Sequence, residues 1–216
     1  MDFILNIFIW AIPLVLAISL HEAAHGWIAH LLGDSTAKQL GRLTANPIKH
    51  IDPVGTLAVP VFLLLVSQGS FAFGWAKPVP VDPRHFANPQ KDMALVALAG
   101  PASNFFMAIA WILIMLFAHN VLDKGMIAAL LSGMAEIGVL INLILMVLNL
   151  FPIPPLDGGR VLTGVLPLRW AAMFARLEMV GMWVVIFLLA SGILGKILWP
   201  MVKGVQTNLY SLFGLG

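Results

Sequence analysis

The chain has 216 residues, 60% hydrophobic and 10% charged, with a net charge of +2 and no cysteine. A water-soluble domain carries roughly 25% charged residues, so a mean hydropathy of +0.96 excludes a water-wrapped globule and makes the bilayer the solvent. The small net charge, with no basic run interleaved with aromatics, excludes a nucleic-acid binder, and the absence of cysteine leaves only His and carboxylates for any metal.

In chain order, the first element is an apolar run from Phe3 to Leu20, broken only by Asn6 and Ser19, that continues without a breaker to Leu32. Gly33 is a helix stop. The run has no basic n-region and no small-residue cleavage pattern, so it reads as a retained membrane helix. A helix over 3–32 is roughly 45 Å long, enough to cross and protrude or tilt. Residues 33–53 are polar, and the apolar stretch 54–67 is about half the usual span, either re-entrant or crossing. Residues 68–92 hold Gly69, Gly74, Pro78, Pro80, Pro83 and Pro89 and cannot be helical throughout. Further spans are predicted at 93–117, 126–151 and 180–199. From Pro200 onward, Val202, Val205, Leu209 and Leu212 recur at helical spacing, which suits an interfacial helix over 200–216. No repeat or linker interrupts the chain. Residues 1–216 read as one all-α polytopic membrane domain with a small β or re-entrant element after the first helix.

Charge orients these spans. If 54–67 dips in and returns, Lys38, Arg42, Lys49, Lys77, Arg84, Lys91, Arg160, Arg169 and Arg176 share one face, and Lys124, Lys196 and Lys203 the other. The positive-inside rule then makes the basic face cytoplasmic and the N-terminus external. A full crossing at 54–67 removes most of the bias, which favours the re-entrant arrangement.

Within the first span stands His21-Glu22-Ala23-Ala24-His25, the HExxH pattern. On a helix the two histidines lie about 40° apart in projection and one turn apart in height, so both reach one Zn²⁺ while Glu22 stands beside it as general base. With six His and three Glu in the chain, a random match is on the order of a few in a thousand. Two His and a Glu inside an apolar helix are also costly unless they are used.

Such a site needs a third protein ligand and an open position for water. The acidic candidates are Asp157, Glu136 and Glu178, with Asp34 and Asp52 in the first loop. His21 lies roughly 27 Å along the helix from Phe3, near the cytoplasmic side. The span 126–151 runs the same way, putting Asp157 just past its inner end and Glu136 near its outer end. Depth therefore favours Asp157 and leaves Glu178 as a second candidate. The run from Asn149 to Gly159 breaks an apolar helix with three prolines and follows Asp157 with two glycines. Irregular backbone at membrane depth is tolerated where it is buried in protein or lines a wet cavity.

Together, HEAAH, Gly100-Pro101-Ala102-Ser103-Asn104 and the Asn149…Leu156-Asp157-Gly158 run resemble the site-2 proteases, intramembrane zinc metalloproteases, in a short bacterial form. The runs Arg42–Thr56 and Gly74–Val81 are similar to the same branch, and the resemblance covers roughly 14–165. There is no room for the PDZ-like insert or CBS tail of longer relatives. The resemblance implies one zinc per chain held by His21, His25 and Asp157, with Glu22 as catalytic base. It also implies Asn149 as an oxyanion donor and Asn104 as a second polar group lining the site.

The implied reaction is hydrolysis of peptide bonds within or near transmembrane segments of a single-span membrane protein, in a bacterial cell membrane with the active site toward the cytoplasm. Water polarised by zinc gives its proton to Glu22 and attacks the scissile carbonyl. Alternating prolines at Pro78 and Pro80 leave the Val79 and Val81 edge free to pair with an unwound substrate, or simply form an edge strand. The rival from another class is a divalent-metal transporter, which would offer ligands along a path or an internal repeat. His50 either borders the site or bonds its own turn. His30 lies about 140° round the helix from His25 and is no ligand; His85 and His119 read as interface residues.

Overall fold

A chain in a bilayer must satisfy its backbone polar groups internally, which favours helices. In the computed structural model, which describes residues 3–66, 74 and 76–215, every regular element is helical. The first, α1 (Phe3–Leu31), has 29 residues and carries Pro13 inside it. It stops where glycine allows: Gly33 adopts φ +111°, its N–H bonds the His30 carbonyl, and Asp34 N–H bonds the Ala29 carbonyl at 2.9 Å. This closes the helix end in a Schellman motif.

Two short elements follow, α2 (Thr36–Gln39) and α3 (Val59–Val66), with a 3₁₀ turn at Pro47–His50 and a π turn at Pro53–Ala58 between them. The helical stretch 53–66 is about 20 Å long, shorter than the roughly 30 Å hydrocarbon core. Residues 67–73 and 75, which include Gly69 and Trp75 of the Gly74–Val81 run, lie outside the described residues. No strand forms among the described residues, and 76–82 is extended without a ladder, so the expected β element is absent there.

The long helices come next, α4 (Pro89–Asn120) and α5 (Met126–Asn149). Proline at the first helical position starts α4 four residues earlier than the apolar pattern suggests. A break at 150–156 leads to α6 (Asp157–Val165), α7 (Leu168–Ala175) and α8 (Glu178–Ala190), and then α9 (Ile193–Leu212). The predicted span 180–199 is therefore not one helix. Gly192 sits at φ +72° and ends α8. A single Ser-Gly pair inside an apolar run escapes a hydropathy window, but it stops a helix. Nor does a separate helix begin at Pro200: the proline lies inside α9, whose Leu198, Val202 and Leu209 are buried in the core.

Helices α1, α4 and α5 are long and apolar enough to cross a membrane, and α7 with α8, bent by 60°, could form a fourth crossing. The packing pairs are α4 with α5, α1 with both, α6 with α4, and α9 with α5. Lipid offers no hydrophobic drive between helices, so close approach through small residues carries the association. Ala108 and Ala135 are fully buried, and a Cβ on Gly138 would meet the Trp111 ring at 2.5 Å. Ile9, Trp111, Ile112, Met134 and Val139 form one continuous core with the buried side of α9. The outer faces keep Trp10, Phe106, Leu113, Trp183 and Phe187 exposed, as a lipid-facing surface requires.

Asp34 ties the first loop together. It is fully buried and accepts from Thr36 N–H at 2.9 Å, Thr36 Oγ1–H at 2.5 Å, Asp82 N–H at 2.7 Å and His85 Nδ1 at 3.0 Å. His85 thus braces a buried carboxylate. Burial alone would raise the Asp34 carboxyl, yet the bonds from Thr36, Asp82 and His85 hold it below the usual carboxylate range. A depressed carboxyl contributes stability above its unfolded value and loses it as pH falls through its folded value. Asp34→Asn is accordingly expected to destabilise the protein by about 2–3 kcal/mol and to flatten the acid limb of its stability, read from thermal unfolding in detergent across pH.

Candidate metal centre

On α1, His21 and His25 point from successive turns to the same place. Their Nε2 atoms are 3.1 Å apart and their rings meet edge to face, with centroids 4.7 Å apart. Asp157, the first residue of α6, brings Oδ2 to 3.1 Å from His21 Nε2 and 3.4 Å from His25 Nε2. Among the described residues this is the one group of three such side chains close enough to hold a metal.

Glycines make the approach possible. A Cβ on Gly100 of α4 would lie 2.5 Å from Cε1 of both His21 and His25, so only glycine lets the α4 backbone pass this close to the imidazoles. Gly159 packs against Ile153 and Pro154 with the same lack of room, and seats α6 under the 150–156 break. Gln90 then ties the far end of α6 to α4, its Nε2 donating to the Thr163 and Leu166 carbonyls at 2.7 Å each. A carboxylate in the first turn of a helix also meets the positive end of its dipole.

Hydrogen bonding settles what these atoms can do. His25 Nδ1–H donates to the Val96 carbonyl at 2.7 Å, and His21 Nδ1 stands 2.5 Å from Asn104 Oδ1. An oxygen acceptor at each Nδ1 puts the ring proton there and leaves Nε2 as a bare lone pair. Asp157 Oδ2 is buried and accepts no hydrogen bond. Three electron-pair donors therefore converge where no protein donor separates them, an arrangement a cation completes. Ligand atoms around a tetrahedral Zn²⁺ at ~2.0–2.1 Å stand about 3.3 Å apart, and the observed 3.1–3.4 Å edges fit that ion.

Glu22, half-buried beside the cluster, accepts from Val79 N–H through Oε2 at 2.8 Å. The segment that supplies this donor is held by Arg42 Nη2, which bonds the Lys77 carbonyl at 2.9 Å, and by Lys77 N–H, which bonds the His50 carbonyl at 2.9 Å. The Val79 N–H that the proline pattern leaves for strand pairing is thus already taken by Glu22. Asn149 ends α5 with its Nδ2 donating back to the Leu145 carbonyl at 3.0 Å. Asn104 is fully buried and touches His21.

The remaining candidates lie elsewhere. Glu136 is exposed, Glu178 pairs with Arg160 at 3.3 Å, and Asp52 caps the Pro53–Ala58 turn through Val54 and Gly55 N–H. His50 is buried and bonds the Thr44 carbonyl at 2.8 Å, within its own loop. His30 bonds Ser35, away from the cluster. The sequence offered Gly100 only as part of the Gly100–Asn104 motif and Val79 only as a substrate-pairing edge; the close pass of Gly100 over the imidazoles and the Val79 bond to Glu22 are the roles it did not show.

Residues 120–192 match the model of a family described as Peptidase family M50. The chain is 37% identical over 205 residues to "Putative zinc metalloprotease YwhC" of Bacillus subtilis, covering 94% of this chain and 89% of that one. It is 31% identical over 206 residues to "Putative zinc metalloprotease Rip2" of Mycolicibacterium smegmatis, covering 93% and 76% respectively. No solved structure matches.

Two substitutions test the cluster by metal analysis of purified protein. Asp157→Ala is expected to lower zinc content sharply, and full occupancy would move the third ligand elsewhere. Gly100→Ala is expected to do the same without removing any donor atom, because the added methyl occupies the space of both imidazoles.

Proposed function

The chain belongs to peptidase family M50 and is a multi-pass membrane zinc protease, and from that premise we propose that it cuts peptide bonds within or near transmembrane segments of other membrane proteins. The observation that carries this reading is the convergence of His21 Nε2, His25 Nε2 and Asp157 Oδ2 inside apolar helices, with Glu22 alongside. His21, His25 and Asp157 would hold the zinc, which when bound would supply Lewis acidity to acidify water and polarise the scissile carbonyl.

The chain's own residues supply the proton traffic. Val79 N–H holds Oε2 of Glu22, which leaves Oε1 to take a proton from the attacking water. The water oxygen bonds the carbonyl carbon, the C–N bond breaks, and Glu22 returns the proton to the leaving amine. Asn149 serves as an oxyanion donor if its amide turns from the Leu145 carbonyl toward the substrate.

The surroundings support a membrane substrate. An apolar groove of about 890 Å³ lies between α1 and α4, with Ala23, Ala24, Trp27, Leu98, Ala102 and Phe106 in its walls. Basic residues support the orientation. Lys38, Arg42, Lys77 and Arg84 lie in the loop segments that pack at the metal end of α1, and Arg160 follows Asp157. By the positive-inside rule this end faces the cytoplasm of a bacterial cell. The transporter alternative lacks support, since the described residues hold one ligand cluster and no second one along a path.

Glu22→Gln is expected to keep its zinc and to cleave a panel of single-span peptides in detergent roughly 10²–10⁴-fold more slowly than the wild type. Undiminished cleavage would overturn the role of Glu22. Zinc flux into vesicles by a wild-type protein that cleaves nothing would favour transport.

A further inference from the structure

Behind His21, a chain of buried amides crosses from α1 through α4 to α5. Asn104 and Asn142 are both fully buried. Asn142 Nδ2 donates to the Gly138 carbonyl at 2.8 Å, Asn104 Nδ2 donates to Asn142 Oδ1 at 2.9 Å, and Asn104 Oδ1 stands 2.5 Å from His21 Nδ1. Asn104 Nδ2 also reaches the Ala17 carbonyl at 3.4 Å.

The direction of this chain is forced. A carbonyl only accepts, so the Gly138 carbonyl draws the NH₂ end of Asn142 and turns its oxygen toward α4. That oxygen draws the NH₂ end of Asn104 and turns the Asn104 oxygen toward His21. His21 must then carry its proton on Nδ1, which leaves Nε2 bare and aimed at Asp157. The reverse orientation of Asn104 would set its oxygen against both Asn142 Oδ1 and the Ala17 carbonyl. It would also put the His21 proton on Nε2, where it blocks a metal. Each buried mismatch of this kind costs on the order of 1–3 kcal/mol.

We propose that Asn142 is a positioning residue of the metal centre: from α5, without touching metal or substrate, it sets the tautomer of His21 through Asn104. Its neighbours in the core, Val139, Leu143 and Met146, are apolar, so packing alone does not call for an amide there. The anchor is also held in place, because the Trp111 ring packs directly on Gly138. The proposal rests on the metal-centre reading for its effect on zinc, but the tautomer is a property of the metal-free protein.

The test is nitrogen-15 NMR of histidine-labelled, metal-free protein above the ordinary histidine titration range, with peaks assigned through His21→Asn and His25→Asn variants. Wild-type His21 is expected as the Nδ1–H tautomer. In Asn142→Leu, His21 is expected to populate both tautomers while His25, bonded to the Val96 carbonyl, keeps its own. Zinc affinity by chelator competition falls about 10–100-fold, the usual cost of an outer-shell loss. Asn142→Asp, as a buried neutral acid, can accept from Asn104 and donate to the Gly138 carbonyl. It is expected to restore the single tautomer and most of the affinity.

A folded Asn142→Leu with unchanged His21 tautomer and zinc affinity overturns the proposal. So does wild-type His21 in the Nε2–H form, which needs no variant to fold. A wild-type protein that shows the Nδ1–H tautomer but binds no zinc would instead overturn the metal-centre reading.

Discussion

Three bare lone pairs held 3.1–3.4 Å apart inside an apolar bundle are the constraint on which the rest of the structure depends. Such atoms repel unless a cation sits among them, and among the described residues no neighbouring donor relieves Asp157 Oδ2. The protein has to bring them together from α1 and α6, two elements separated by more than a hundred residues. It also has to keep protons off the two imidazole nitrogens that point inward.

Close helix approach solves the first problem. The α4 backbone slides past both imidazoles at Gly100, the 150–156 break folds back over Gly159, and Gln90 locks α6 to α4. None of these contacts touches the reacting atoms, yet each sets where Asp157 stands relative to α1. Oxygen acceptors at each Nδ1 solve the second problem, with the Val96 carbonyl serving His25 and the Asn104 amide serving His21.

A loop segment completes the site from the C-terminal end of α1. Asp34 anchors 82–85 to the end of α1, Arg42 and the His50 carbonyl hold Lys77, and Val79 then presents its N–H to Glu22. Glu22 is thus oriented by a backbone group, which is insensitive to side-chain identity. This also explains why His50 is buried in its own loop and takes no part in binding metal.

What the sequence by itself determined was whatever depends on local periodicity and on the solvent. Sixty per cent apolar residues dictate a bilayer, and the spacing of His21 and His25 dictates a shared face whatever surrounds the helix. Depth along spans that run the same way then makes Asp157 a better partner than Glu136, which is a matter of length alone. The tertiary structure decided everything that depends on how near two helices come. Composition does not encode the closeness that makes Gly100 indispensable, the capture of the Val79 N–H by Glu22, or the direction of the Asn142–Asn104–His21 chain. The break at Gly192 escaped for a related reason: one residue's positive φ ends a helix that average hydropathy carries straight through.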